Sequence, residues 1–175
     1  LREMRRFHAE QTLRIGLHDV AGNLDATQVG AQLSRLAESS LHVCVWQVCS
    51  DMRSRYGVPD TRLTVLGLGS VGAEAMRYGS DLDLVFLFEG PGRTSTGTAH
   101  DEWFTRFAPR LLTALSSRMD EGHLYDVDTR LRPSGTQGML VTSEATFARY
   151  HESRAALWER AALLRARVMF AANLH

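Results

Sequence analysis

The sequence contains no lysine, so all twenty of its basic residues are arginine. This absence excludes a P-loop lysine, a Schiff-base lysine and a lysine general base. Any phosphate that the chain binds must be held by arginine, backbone N–H groups, hydroxyls or a metal ion. A genome rich in G and C also produces such a bias, so the absence excludes mechanisms without proposing one.

The sequence also has few cysteines, no net charge and no long apolar run. The two cysteines, Cys44 and Cys49, fall on a predicted helix at a spacing that favours buried free thiols and a cytosolic setting. The formal net charge is 0, so no strong field favours nucleic acid or an anionic membrane. No apolar run approaches the roughly 18 residues of a membrane span, and no signal peptide is visible. We therefore expect a cytoplasmic protein without nucleic-acid or membrane partners. Its start at Leu1 rather than Met indicates part of something longer.

The first third of the chain has helical periodicity. Apolar residues recur every three or four positions over residues 2–20 and again from about Thr27 to Tyr56. Asp25 or Thr27 can cap the second helix, and Gly57 and Pro59 end it. These features predict an N-terminal helical hairpin over residues 1–58, packed on a core formed by residues 59–175.

From Arg62 the pattern changes to short apolar runs separated by turns. "RLTVLGL" and "LDLVFLFE" predict strands, with a short helix over "SVGAEAMRYG" between them and a mobile loop over 90–98. A helix is predicted from about Ala99 to Met119, then a strand over "HLYDVDTRLRP", a short strand or turn over "GMLVT", and a last helix over 143–173. This order predicts a small mixed β-sheet flanked by helices, of the α+β or α/β class.

The stretch "LGLGSVGAEAMRYGSDLDLVFLFEG" allows two interpretations. The glycines at 67, 69 and 72 follow a strand and open a helix, as in a dinucleotide-binding loop, and Glu89 ends the next strand where a ribose-binding acid is expected. However, a parallel crossover requires a dozen or more residues, and the segment before Leu82 is shorter and broken at Gly79-Ser80. This interpretation also leaves two aspartates unexplained.

The alternative is a metal site. Asp81 and Asp83 alternate along a strand and project from one face, where two carboxylates repel unless a cation lies between them. Oxygen ligands of this kind suit Mg²⁺ or Mn²⁺. The turn at Gly69-Ser70 allows a phosphate to approach backbone N–H groups. A solvated strand end would also explain Asp-x-Asp when it is taken alone.

A second pair of carboxylates supports the metal interpretation. Asp126 and Asp128 alternate on the predicted third strand, and Arg130 and Arg132 continue the same face. Carboxylates, arginines and a glycine turn are the groups that phosphoryl or nucleotidyl transfer requires.

The spacing from Gly-Ser to Asp-x-Asp resembles the nucleotidyltransferase superfamily of DNA polymerase beta. The segments "YGSDLDLVFLF", "LYDVDTRLRPSG", "GMLVTS" and "LWERAALLRARV", with the leading "LRIGLHDVAG", narrow the resemblance to the glutamine synthetase adenylyltransferase family. The resemblance spans most of the chain. It implies a nucleotidyltransferase fold and one catalytic domain of a bifunctional enzyme that regulates nitrogen metabolism.

The resemblance also implies a reaction and its partners. One domain of such an enzyme attaches AMP from ATP to a tyrosine of glutamine synthetase, and the other removes it by phosphorolysis. The motifs here are more similar to the adenylylating domain; the adenylyl-removing domain and a catalytically silent nucleotide-sensing module remain alternatives. A nitrogen-signalling regulatory protein is an expected partner of the full-length enzyme.

By the same resemblance, Asp81, Asp83 and Asp128 hold two Mg²⁺ ions, or Mn²⁺, and carry the catalysis. The expected nucleotide-binding residues are Gly69, Ser70, Gly79, Ser80, Arg130 and Arg132. A structural ion pair with Asp126 or Glu159 is an alternative role for either arginine. Ser70 stands where the family usually has lysine, which leaves nucleotide affinity and full activity in question.

Overall fold

The structure, a computed structural model, describes residues 1–120 and 122–175. Its helices and strands follow one another in this order: α1 (Arg2–Val20), α2 (Ala26–Tyr56), β1 (Arg62–Gly67), α3 (Gly69–Gly72), β2 (Leu82–Phe88), α4 (His100–Ser116), β3 (Val127–Asp128), β4 (Val141–Ser143), α5 (Glu144–Ser153), α6 (Leu157–Ala162) and β5 (Arg167–Asn173). Short 3₁₀ turns lie at Gly135–Gln137 and Leu163–Arg165. The α+β class and the N-terminal helices are confirmed.

The long helix α2 has the ends that its sequence predicts. The Asp25 carboxylate accepts a hydrogen bond from the Gln28 N–H at 2.8 Å, and the Gln28 side chain accepts one from the Asp25 N–H at 2.9 Å. This reciprocal capping box satisfies two N–H groups that would otherwise lack partners. The helix ends at Gly57, whose φ of 67° lies in the left-handed region.

The sheet has the strand order β3-β2-β1-β5, with β4 also paired to β2. Strands β1 and β2 are antiparallel, in a register that places Gly67 opposite Leu84. A dinucleotide-binding loop joins two parallel strands through a crossover helix, so this pairing rules out the dinucleotide-fold interpretation. The role in ribose binding that it gave to Glu89 falls with it.

Three of the predicted elements are wrong in extent. The helix predicted over "SVGAEAMRYG" is only the single turn α3, because Glu74 adopts a left-handed φ of 52°. The strand predicted over 123–133 pairs only at Val127–Asp128, since the chain turns where the Arg132 N–H bonds the Thr129 carbonyl. The last helix, predicted over 143–173, is divided into α5, α6 and strand β5.

The loop at 90–98, expected to be mobile, is tied down within itself and to α4. Thr94 is buried, and its N–H donates to the Thr98 carbonyl at 2.8 Å. The ring of His100, at the start of α4, is 3.0 Å from the Gly90 carbonyl. Several hydrogen bonds therefore position the loop.

The two faces of β2 pack against different parts of the protein. Leu82, Leu84, Phe86 and Phe88 face the main core beneath α1, α2 and α4. Val85 and Leu87 face the opposite side, where a smaller cluster receives residues of α5, α6 and the following turn. Because side chains alternate along a strand, Asp83 belongs to this second face, next to Val85.

The two cysteines are buried and unpaired, as predicted. Burial raises the pKa of Cys44 to about 11 and that of Cys49 to about 12. Both thiols are therefore protonated at neutral pH. Among the described residues, no helix combines the length and apolarity needed to cross a membrane.

Candidate active site

A glycine turn at the end of β1 lies directly against a carboxylate of β2. Gly69 has a φ of 54°, in the left-handed region that favours glycine. A Cβ atom added to Gly69 would collide with Oδ2 of Asp83, and the Leu68 N–H donates to the Asp83 carbonyl at 2.9 Å. The Gly69-Ser70 turn and the second aspartate of Asp-x-Asp therefore form one unit.

Asp83 also faces a carboxylate on the neighbouring strand. Strands β2 and β3 are parallel, and their register places Asp83 opposite Asp128. Burial raises the pKa of Asp83, and the negative charges of Asp128 and Asp81 raise it further. The three aspartates thus generate a concentrated negative potential at this edge of the sheet.

Arg130 supplies the nearest positive charge. Its Nε donates to Asp128 Oδ2 at 2.8 Å, and its backbone N–H donates to Oδ1 at 2.8 Å. These hydrogen bonds keep the pKa of Asp128 below its usual value. The Arg130 side chain is 76% exposed, so it is held at this position by Asp128 and not by packing.

Asp81, Gly79 and Ser80 lie on the loop before β2. The Ser80 hydroxyl accepts from the Arg77 N–H at 2.9 Å, and the Ser80 N–H donates to the Arg77 carbonyl at 3.0 Å. Gly79 has a φ of 75° with open space around it. This loop lines a cavity of about 320 Å³ against α1, on the main-core side of the sheet. Asp81 lies both beside that cavity and near Asp83.

Arg132 has a position different from that of Arg130. It is buried, and its guanidinium donates to the carbonyls of Thr129 at 2.7 Å, Thr136 at 3.2 Å and Gly138 at 3.1 Å. The guanidinium therefore holds the turn that follows β3.

The acidic residues considered as partners for the two arginines make other contacts. Asp126 lies 3.8 Å from His123, and buried Glu159 accepts from the Tyr150 hydroxyl at 2.8 Å. Arg130 instead pairs with Asp128. Asp126 and Arg130 are exposed whereas Arg132 is buried, so the four alternating side chains expected on one strand face do not form one surface.

Two residues that brace the glycine turn escaped the sequence reasoning. Arg167, the first residue of β5, donates to Glu38 of α2 at 2.6 Å and to the Val71 carbonyl of α3 at 3.5 Å. It thereby ties the end of α3 to the helical layer. The available signal was the Arg-x-Arg pair at 165–167, which was hidden inside a predicted helix.

The carboxylates fit a hard divalent cation by their chemistry. Within residues 1–120 and 122–175, no three acidic, histidine or cysteine side chains already form a metal cage. In this structure the Arg130 guanidinium bonds an Asp128 oxygen that a cation would otherwise bind. Asp83 and Asp128 on adjacent strands, with Asp81 nearby, carry oxygen donors of the kind that Mg²⁺ or Mn²⁺ prefers.

Ser70 is half-buried beside this cluster, and in the described part of the chain its hydroxyl has no hydrogen-bond partner. A phosphate group at the glycine turn would meet that hydroxyl and the backbone N–H groups, with carboxylates on its far side. The described geometry can therefore position a polyphosphate beside oxygen donors for a cation, as nucleotidyl transfer requires.

Comparison with protein families agrees with this geometry. The model of the glutamate-ammonia ligase adenylyltransferase (GlnE) family matches residues 1–174, essentially the whole chain. That family transfers nucleotidyl groups and acts on glutamine synthetase. The chain therefore belongs to the glutamate-ammonia ligase adenylyltransferase family of nucleotidyltransferases.

Proposed function

We propose that this chain transfers AMP from ATP to a tyrosine hydroxyl of glutamine synthetase in a reaction that depends on Mg²⁺. The observation that carries the proposal is the position of Asp83, between the Gly69 turn on one side and Asp128 on the other. A nucleotide phosphate at the turn is then next to two carboxylates that can hold a cation. The proposal places the chain in the cytoplasm and makes a nitrogen-signalling protein a partner of the full-length enzyme.

The residues of the turn bind the leaving group. Backbone N–H groups at Gly69 and Ser70, together with the Ser70 hydroxyl, receive the β- and γ-phosphates. Because the chain has no lysine, arginine is the side chain that adds permanent positive charge beside that of the cation. Arg130 is exposed, and among the described residues its guanidinium bonds Asp128, so it can move to a phosphate when the carboxylate takes a cation.

Asp83 and Asp128 would hold the divalent cations, with Asp81 as a further ligand. When bound, such a cation neutralises phosphate charge and lowers the pKa of an attacking hydroxyl. Asp128, on β3, is the carboxylate we assign to the acceptor side, where it orients the tyrosine hydroxyl and accepts its proton. Arg132 keeps the turn after β3 in place, and Gly79 and Ser80 shape the loop that carries Asp81.

The alternatives differ in what they consume. Phosphorolytic removal of AMP needs one inorganic phosphate and adenylylated glutamine synthetase, whereas a silent nucleotide-sensing module binds ATP without transferring AMP. Ser70 is neutral and stands where the family resemblance implies a lysine. The loss of that charge is the observation that favours the silent module as an alternative.

Incubation with ATP labelled at the α-phosphate, Mg²⁺ and purified glutamine synthetase tests the proposal. We expect label on a tyrosine of glutamine synthetase, and none with the Asp83→Asn variant. Release of ADP from adenylylated glutamine synthetase and phosphate, without incorporation from ATP, would assign the reverse reaction. Binding of ATP with neither reaction would leave the silent module.

A further inference from the structure

Helix α6 and the 3₁₀ turn after it display three large apolar side chains outward. Leu157, Trp158 and Leu164 are 84%, 62% and 87% exposed. Ala162 and Leu163 of the same segment pack inward against the second face of the sheet. Grouped apolar side chains on the outer side of a segment that already packs inward are a feature of binding surfaces.

The segment is fixed in position from within. Glu159 is only 7% exposed, and its carboxylate accepts from the Tyr150 hydroxyl at 2.8 Å and from the Ala156 N–H at 2.7 Å. These hydrogen bonds anchor the start of α6 to α5. The outward side chains are therefore held on a rigid support, which lowers the entropic cost of binding a partner.

This surface borders the candidate active site. Leu163 packs in the same cluster as Leu68 and Val85. Leu68 directly precedes Gly69, and Val85 is the next residue after Asp83 on the same face of β2. The Arg165 carbonyl closely approaches Gly72 at the end of α3, so the segment runs alongside the phosphate turn. A macromolecule bound here would therefore lie beside the turn whose Gly69 contacts Asp83.

The rim of the surface is positively charged. Arg154, Arg160 and Arg165 are exposed, and in the described part of the chain none of them forms an ion pair with a carboxylate. The Arg160 guanidinium donates to the Glu152 backbone carbonyl at 3.3 Å. We name these three arginines, with Leu157, Trp158 and Leu164, the α6 surface.

We propose that the α6 surface docks the protein substrate, through a segment of that substrate that carries apolar and acidic side chains near the target tyrosine. This inference rests on the proposed function. The charge of the rim selects an acidic partner, and tryptophan and arginine are the residue types that most often dominate binding at interfaces. Because the α6 surface lies beside the phosphate turn, we infer that its partner is the protein that brings the acceptor hydroxyl to the site.

The test measures binding apart from transfer. Purified glutamine synthetase is titrated without ATP onto the wild-type chain, Trp158→Ala, Leu164→Ala and a matched control, Leu17→Ala. Leu17 is 63% exposed on α1 and lies outside the α6 surface. We expect Trp158→Ala to raise the Kd about tenfold or more, Leu164→Ala to raise it by less, and Leu17→Ala to leave it unchanged.

Charge reversal gives a second, independent measurement. Arg160→Glu should weaken binding about tenfold and reduce its dependence on salt, whereas Arg14→Glu on α1 should not. Circular dichroism checks that each variant is folded.

Three results would overturn the docking proposal. A Kd for glutamine synthetase that is equal in wild type and Trp158→Ala would do so, and so would a wild-type chain that does not bind it. Self-association of the chain that disappears with Trp158→Ala would make the surface an interface between copies. Failure of the proposed function has a different signature, since glutamine synthetase would then bind in a manner sensitive to Trp158 but acquire no AMP.

Discussion

Substitution of Gly69 by alanine tests the contact at the centre of the candidate site. Gly69 has a left-handed φ, and the position of its missing Cβ is occupied by Oδ2 of Asp83. An alanine would therefore strain the backbone and also displace the carboxylate. The first effect acts on folding, and the second acts on the reaction.

The two effects have different expected sizes. A left-handed alanine costs about 1–2 kcal/mol, part of which is offset by about 0.4–1 kcal/mol because the unfolded chain loses freedom. The net cost of about 1 kcal/mol lowers the Tm of a chain of this length by roughly 2–4 °C. Restoring van der Waals separation moves the Asp83 carboxylate by about 1 Å, a displacement that costs a reaction about a hundredfold in rate.

Gly22→Ala is the matched control. Gly22 has a φ of 70°, and nothing lies within 4 Å of the position where its Cβ would be. Thermal unfolding and AMP incorporation should therefore show a similar loss of stability in both variants and a loss of transfer only in Gly69→Ala. Transfer at the wild-type rate by Gly69→Ala would refute the role assigned to the Asp83 contact. Equal loss in both variants would attribute the effect to folding.

Three further predictions concern charge. Asp83→Asn should abolish transfer and should keep or raise the Tm measured without metal. The reason is that it removes a carboxylate whose pKa is raised by burial and by the charges of Asp128 and Asp81. A marked fall in Tm would contradict this. Arg130→Ala should raise the ATP concentration for half-maximal transfer about tenfold, since a charge-assisted hydrogen bond contributes about 1.5 kcal/mol. An unchanged requirement would remove Arg130 from the phosphate site. The thiols at 44 and 49 have raised pKa values, so at pH 8 both stay protonated and buried, and they should react with a thiol reagent only as the protein unfolds.

The sequence predicts α1, α2, α4 and the first two strands well, because their signals are local. The capping residue Asp25 and the glycine at 57 mark the ends of α2, and the alternation in "LDLVFLF" marks β2. Strand β5 was missed because its residues favour helix and its alternation is interrupted. Met169 and Phe170 are both buried, since the register shifts opposite Val65 and Leu66. This segment forms a strand because it pairs with the free edge of β1. The pairing partner lies about a hundred residues earlier in the chain, so the local sequence does not indicate it.

The site shows the same division between local and distant information. The Asp-x-Asp spacing predicts only that Asp81 and Asp83 lie close together, and the family resemblance adds Asp128, which the structure places opposite Asp83. The contacts of Arg132 depend on how the turn after β3 closes. The alternation of side chains along a strand does not predict the shape of that turn. The brace that Arg167 makes to Glu38 joins residues far apart in sequence, so the Arg-x-Arg pair at 165–167 does not indicate which residue Arg167 contacts.

Strand β5 also determines when the sheet can be completed. Within the sheet, Val65 of β1 pairs with Phe86 on one side and with Phe170 on the other. The second partner is on the order of a hundred residues away, a separation that slows folding because a long loop must close first. Until β5 arrives, β1 has one edge of unpaired N–H and C=O groups between apolar side chains, which is a template for pairing with another chain. A chain cut after Ala166 should therefore aggregate during synthesis even though every aspartate of the candidate site is present.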